Sequence, residues 1–284
     1  MKDFLGAHMS ISGGLHLAID RAVAAGCGVL QLFTRNSNQW KGKPLSDHDI
    51  SLFRSKAVSS GLHDIVSHDI YLINLAAEPG EVREKSLAAF CDELETCARL
   101  GISKIVMHPG SHLRATPQEG LQRVIGAFDQ LFAQAPQYEG KVLLETTAGQ
   151  GTNLGRSFEE LQTIIEGSRY SDRFAVCFDT CHTFAAGYDT ATESGYHDTM
   201  AQFDRIIGLD KLQCFHFNDS KKGLGSRVDR HEHIGQGTLG LNPFRFILND
   251  PRFKNIPKIL ETPKGDDNEM DAVNLRTLRG LITA

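Results

Sequence analysis

The sequence predicts an α/β protein whose parallel strands close into a (β/α)8 TIM barrel, with residues 1–284 forming one domain. Three observations carry that expectation. Short apolar runs rich in β-branched residues alternate strictly with longer amphipathic stretches. Such alternation implies a parallel sheet, because each crossover helix returns the chain to the same end of the sheet. Successive runs begin about 25 to 45 residues apart, the length of a βα unit, and eight such units fill the 284 residues. That count suits a closed barrel better than an open doubly wound sheet, which is the alternative topology.

The first run, residues 3–8, precedes an amphipathic stretch at 14–25 that stops at Gly26. Residues 29–33 follow, then a helix at 46–60 before Gly61. Ser46 with Asp49 three residues on resembles a capping box, with Asp in the Glu position. The third run, 64–68, leads to a helix at 82–100 before Gly101, a residue favoured just past a helix end. The remaining runs are 104–108, 141–145, 174–179, 212–217 and 257–261. Their helices lie at 117–135, 157–166, 197–207, 243–249 and 270–281.

Hydrophobic residues make up 40% of the chain and charged residues 23%, which excludes disordered and fibrous classes. No window approaches the roughly 18 to 20 apolar residues of a membrane span. The opening MKDFLGAHMS lacks the apolar stretch of a secretion signal. Six cysteines without CxxC spacing indicate neither a disulfide framework nor a zinc ribbon, so a reducing cytoplasm is the expected compartment. Thirty basic against 35 acidic residues give a net charge of −5. Taken alone, that argues against a polyanionic partner.

The ends of the runs carry the chemistry. They finish at His8, His68, His108, Glu145, Asp179, His216 and Glu261. A barrel gathers the C-terminal ends of its strands around one mouth, so these residues would converge. Any one of them alone reads as a cap or a satisfied core polar group. Seven in phase with the fold read as a metal site, and mixed His and carboxylate donors suit zinc, manganese, iron or cobalt. Asp179 and His182 stand three apart beyond the sixth run. In Asp229-Arg230-His231 the residues two apart share a side in extended backbone and could grip one ion. Cys177 and Cys181 read as buried structural thiols.

Several long motifs closely resemble endonuclease IV, a family of bacterial apurinic/apyrimidinic endonucleases. They are HPGSH at 108–112, LETTAGQG at 144–151, FDTCHTFAAGYD at 178–189, HFNDSK at 216–221 and GSRVDRHEHIGQG at 225–237. The stretches GAHMSISGGL and SHDIYLINLA are also similar, so the resemblance runs over nearly the whole chain. It implies a barrel with a metal cluster at the C-terminal face of the strands, holding three zinc ions, with manganese an alternative at one or more positions. By motif, His68, His108 and Glu145 would hold the first ion. Glu145 would bridge to the second, completed by Asp179, His216 and Glu261, and His182, Asp229 and His231 would hold the third. His8 would support the ligands from outside.

The resemblance also implies a reaction. A zinc-dependent phosphodiester hydrolase would cut 5′ to abasic sites in damaged duplex DNA, leaving a 3′-hydroxyl and a 5′-deoxyribose phosphate. Hydroxide activated by the three metals would attack, with Glu145 and Glu261 as the catalytic carboxylates. The enzyme would work as a cytoplasmic monomer away from membranes. Three divalent ions would offset the net charge of −5 where a phosphate docks. Arg227 and Arg230 would meet DNA, as would Lys41, Lys43, Lys221 and Lys222 on neighbouring loops. Asn38 stands where the family has an arginine beside the lesion, so that contact would be weaker or rearranged. Tyr71 and Leu72 would wedge into the gap left by a flipped nucleotide, the alternative being that both pack against the barrel. Two rival functions remain at this level: a sugar isomerase or epimerase of similar barrel type, and a module that binds damaged DNA without cutting it.

Overall fold

The computed structural model describes residues 3–265 and 269–283. Positions 1–2, 266–268 and 284 of the expected domain span lie outside the described residues. Strands β1 (Leu5–His8), β2 (Val29–Phe33), β3 (Asp64–His68), β4 (Lys104–Met107), β5 (Lys141–Glu145), β6 (Phe174–Asp179) and β7 (Leu212–Phe217) pair in sequence order. A two-stranded ladder follows, β8 (Asp219–Ser220) against β9 (His231–Glu232), before β10 (Lys258–Leu260) closes the barrel between β7 and β1. All eight barrel pairings are parallel. The helices are α1 (Leu15–Ala24), α2 (Asp47–Ser60), α3 (Glu81–Leu100), α4 (Pro117–Gln134), α5 (Phe158–Gly167), α6 (Thr180–Ala186), α7 (Glu193–Ile206), α8 (Asn242–Asn249) and α9 (Glu269–Arg279). No helix among the described residues is long and apolar enough to cross a membrane.

The pleat explains how the barrel carries its mouth. Val29, Val66, Val106, Leu143, Cys177, Cys214 and Ile259 form a fully buried apolar layer inside the barrel. Two residues further along each chain segment stand Gln31, His68, His108, Glu145, Asp179, His216 and Glu261. Residues two apart in a strand point to the same side, so an apolar plug lies directly beneath a polar ring. The outward faces of the strands pack against the helices through a second core that includes Phe90, Phe128, Phe132 and Phe174. Their rings meet edge to face or stacked, with centroids 4.9 to 5.5 Å apart. Gly6 is required where β1 approaches β2, because a Cβ there would run into the Val29 carbonyl.

Local signals fix the helix ends. Ser46 accepts from the Asp49 N–H while the Asp49 carboxylate accepts from the Ser46 N–H, a reciprocal capping box. Gly61 and Gly101 end α2 and α3 in the left-handed region, at φ 68° and 79°. The structure departs from the sequence reading after β6. The helix expected at 197–207 begins at Glu193, where Thr192 accepts from the Gly195 N–H. It is preceded by the short helix α6, capped by the Asp179 side chain on the His182 N–H. Seven residues are too few for a legible apolar period. The β8–β9 ladder lies in a stretch read as loop. Strand β1 starts at Leu5, and β4 and β10 stop one residue short of His108 and Glu261. The six cysteines are free, and Cys27, Cys97, Cys177, Cys181 and Cys214 are buried.

Candidate metal centre

Six of the nine candidate ligands rise from the barrel. His68, Glu145 and Asp179 end their strands, His216 is next to last in β7, and His108 and Glu261 lie one residue beyond β4 and β10. His182 comes from the first turn of α6, and His231 opens β9 with Asp229 just before it. The structure brings all nine together in three groups whose donor atoms lie within 4.8 Å of one another. One is His68, His108 and Glu145; the second is Glu145, Asp179, His216 and Glu261; the third is His182, Asp229 and His231. His8 belongs to none of the three and sits beside Gln31 instead, with its Nδ1 3.0 Å from the amide nitrogen.

The histidine rings test whether cations fit. The Nδ1 of His68 meets the Asp69 carbonyl at 2.8 Å, that of His182 the Thr146 carbonyl at 2.9 Å, and that of His231 the Glu261 carbonyl at 3.2 Å. On His216 it is Nε2 that faces an oxygen, the amide oxygen of Gln31 at 2.8 Å. Each outer nitrogen therefore donates its proton to an oxygen, which leaves the inner nitrogen as an acceptor. Those inner nitrogens face other acceptors. His68 Nε2 lies 3.2 Å from Glu145 Oε2, and His182 Nε2 lies 3.2 Å from Asp229 Oδ2 and 3.3 Å from His231 Nε2. Buried Glu145 Oε1 and His216 Nδ1 stand 3.1 Å apart and neither has a hydrogen-bond partner. Lone pairs turned on one another at this range need protons or cations between them, and outer hydrogen bonds of this kind orient metal-binding histidines. The residues fit a set of divalent cations.

Electrostatics follow the same layout. Burial penalises the charge of Glu145, but His216 and His108 outweigh it and hold the carboxyl well below its usual range. Glu261 is likewise held low against burial, by His216 and the nearby His8. Asp229, partly buried, is brought to about 2, as His182 and His231 overcome its desolvation. Burial pushes His216 down but Glu261 and Glu145 prevail, raising it to about 10. At His8 burial wins and lowers the ring to about 4.

Three polar side chains at this site were passed over in the sequence. Gln31 is fully buried and bonds Glu261 and His216. Asn218 donates to Asp179 at 2.7 Å and accepts from the Glu261 N–H at 3.0 Å. Thr146 accepts from the Asp179 N–H at 2.9 Å. The available signal was a polar residue inside an otherwise apolar run, as in VLQLF for Gln31. The expected DNA contacts lie outside the three groups. Asn38, Arg227 and Arg230 are exposed on loops, Tyr71 is 70% exposed, and Leu72 is half-buried against the core. His233 turns to Asn274 of α9, with 3.1 Å between His Nδ1 and the amide nitrogen.

A closed parallel barrel with a His and carboxylate mouth defines a class, and residues 19–279 match the family model of the xylose isomerase-like TIM barrel. A curated relative from Trichlorobacter lovleyi, "Probable endonuclease 4", is 75% identical over 281 residues, covering 99% of this chain and 100% of its own. Another of the same name from Geotalea daltonii is 64% identical, covering 99% of both chains. The crystal structure of endonuclease IV from Thermus thermophilus superposes with a TM-score of 0.87 at 39% identity, over 98% of each chain. The chain belongs to the endonuclease IV family.

Proposed function

We propose that this chain is a DNA-repair endonuclease that hydrolyses the phosphodiester 5′ to an abasic site in duplex DNA, leaving a 3′-hydroxyl and a 5′-deoxyribose phosphate. Its cofactors would be three zinc ions, with manganese an alternative at one or more sites. Residues 1–284 would act as one catalytic domain, as a cytoplasmic monomer. The observation that carries the reading is the division of Glu145. Its Oε2 lies 3.1 Å from His108 Nε2 and 3.2 Å from His68 Nε2, while its Oε1 lies 3.1 Å from His216 Nδ1. One carboxylate shared by two donor groups is the arrangement of a paired-cation phosphodiesterase site.

His68, His108 and Glu145 would hold one ion, Glu145, Asp179, His216 and Glu261 the second, and His182, Asp229 and His231 the third. When bound, such ions supply a nucleophile at neutral pH by lowering the pKa of water, and they neutralise charge on the phosphate and the leaving oxygen. Glu261 engages Gln31 through Oε1 at 2.6 Å and turns Oε2 toward His216 Nδ1 at 3.3 Å. From there it would orient the attacking water or accept its proton. Arg227 and Arg230, on the loop between β8 and β9, would position the backbone by phosphate contacts. Asn38 would offer a neutral hydrogen bond in place of the arginine's charge. The test is incision of an end-labelled duplex bearing one abasic site. The expected product is a single cut with a 3′ end that a polymerase extends; an uncut duplex with metal-replete protein would refute the reading.

The exposure of Tyr71 makes it the better wedge. Its ring stands edge-on to Phe33, with centroids 5.3 Å apart, at the same mouth as His68. Tyr71→Ala should weaken binding to abasic duplex by about 1–3 kcal/mol, the range of an aromatic stacking platform, with an unchanged melting temperature. Leu72→Ala should lower both affinity and melting temperature, because Leu72 also packs against the core. Unchanged affinity in both variants, measured by fluorescence anisotropy, would remove the wedge role.

A further inference from the structure

Gln31 occupies the one position of the polar ring whose side chain is neither acid nor imidazole among those rising from the apolar layer described above. It is fully buried at the centre of β2. A buried amide is tolerated when its donors and acceptor are met. Here all are met: the amide nitrogen donates to Glu261 Oε1 at 2.6 Å and lies 3.0 Å from His8 Nδ1, while the amide oxygen faces His216 Nε2 at 2.8 Å.

These contacts permit one arrangement. An ionised carboxylate only accepts, so the NH2 of Gln31 must face Glu261. The amide oxygen is then turned to His216, whose proton must sit on Nε2. That leaves the lone pair of Nδ1 directed at the pocket, between Glu145 Oε1 at 3.1 Å and Glu261 Oε2 at 3.3 Å. It also commits one oxygen of Glu261 to the support and leaves the other for the pocket. We infer that Gln31 is a positioning residue for the second donor group, fixing both the ligand nitrogen of His216 and the ligand oxygen of Glu261. The inference rests on the proposed metal centre. Without the amide, nothing holds His216 with Nε2 as the outer donor and Nδ1 as the nitrogen offered to a cation.

Gln31→Leu and Gln31→Met keep approximate volume and remove the amide. In metal-free form both should show the wild-type circular dichroism. Competition with a chromophoric chelator should show one of three zinc ions bound about 10- to 100-fold more weakly, the usual effect of losing such outer support, with the other two unchanged. The visible spectrum of the cobalt-substituted protein should change for one ion. At limiting zinc, kcat should fall while KM for abasic duplex holds, and excess zinc should restore kcat. Folded variants with unaltered affinities, spectrum and kcat would overturn the inference. Should both apolar variants fail to fold, Gln31→Glu keeps the acceptor for His216 but sets a carboxylate against Glu261. It should show the same loss at one ion, and wild-type affinity there would overturn the inference equally. Wild-type protein that binds no zinc would instead sink the metal centre itself.

Discussion

Dialysis against a strong chelator should remove close to three divalent ions per chain and abolish incision of abasic duplex, while the barrel stays folded. The fold should survive because the plug of Val29, Val66, Val106, Leu143 and Ile259 beneath the site is apolar and packed without help from the polar ring. Activity should not survive, since the reaction proposed for the three His, Asp and Glu groups runs on water activated by the ions they would hold. Reloading should weaken as the pH falls. In the metal-free protein His216 is raised to about 10, burial being outweighed by Glu261 and Glu145. The neighbouring carboxylates therefore favour a proton at Nδ1 that competes with a cation for the same nitrogen. Zinc titrations at about pH 6 and about pH 8, in buffers of different ionisation enthalpy, should show tighter binding at the higher pH and proton release at both. Elemental analysis giving one ion or none, with full activity in chelator, would exclude the three-ion centre.

Glu261→Gln should lower turnover by a factor of about 10² to 10⁴, the range for losing a charge-stabilising or proton-accepting group, while binding to abasic duplex persists. The change is nearly isosteric and spares Gln31, which can donate to an amide oxygen as it does to the carboxylate at 2.6 Å. What disappears is the negative charge facing His216 Nδ1 and the capacity to take a proton. The eight other candidate ligands are untouched, so the phosphate would still find its cations and the exposed Arg227 and Arg230. Metal analysis must accompany the kinetics. Near-native turnover in a variant with intact metal content would deny Glu261 a part in the reaction.

The barrel was legible in the sequence because its strands are buried on both faces and read as largely apolar runs, seven of the eight closed by a polar side chain. That same rule located the candidate ligands His68, His108, Glu145, Asp179, His216 and Glu261 without any view of distance. Two kinds of feature escaped it. Helix α6 is only about two turns long at 3.6 residues per turn, so the helical setting of His182 left no periodic trace. The β8–β9 ladder consists of two-residue strands whose partners, Ser220 and His231, are set by backbone pairing rather than by composition. Gln31 and Asn218 escaped for a further reason. Their importance lies in whom they touch across the barrel, 185 residues away in the case of Gln31 and His216, and a single chain read in order does not show such partners.

The ladder has a consequence for the order in which the protein organises itself. Two donor groups stand on the rigid barrel, but Asp229 and His231 arrive on a surface excursion between β7 and α8, tied down by the Lys221 N–H to the Arg230 carbonyl and by the Gly225 and Arg227 N–H groups to the end of α6. On the proposed assignment the third cation would clip that excursion to His182, adding an anchor at the base of the loop that bears Arg227 and Arg230. Occupancy there and attraction for a polyanion are then linked by reciprocity: the bound ion would raise affinity for the polyanion by the same factor as the bound polyanion raises affinity for the ion. A nucleic acid held by those arginines would tighten retention of the ion at equilibrium, and an empty base would let amide hydrogens along the excursion exchange with solvent as a local unit while the barrel remained protected.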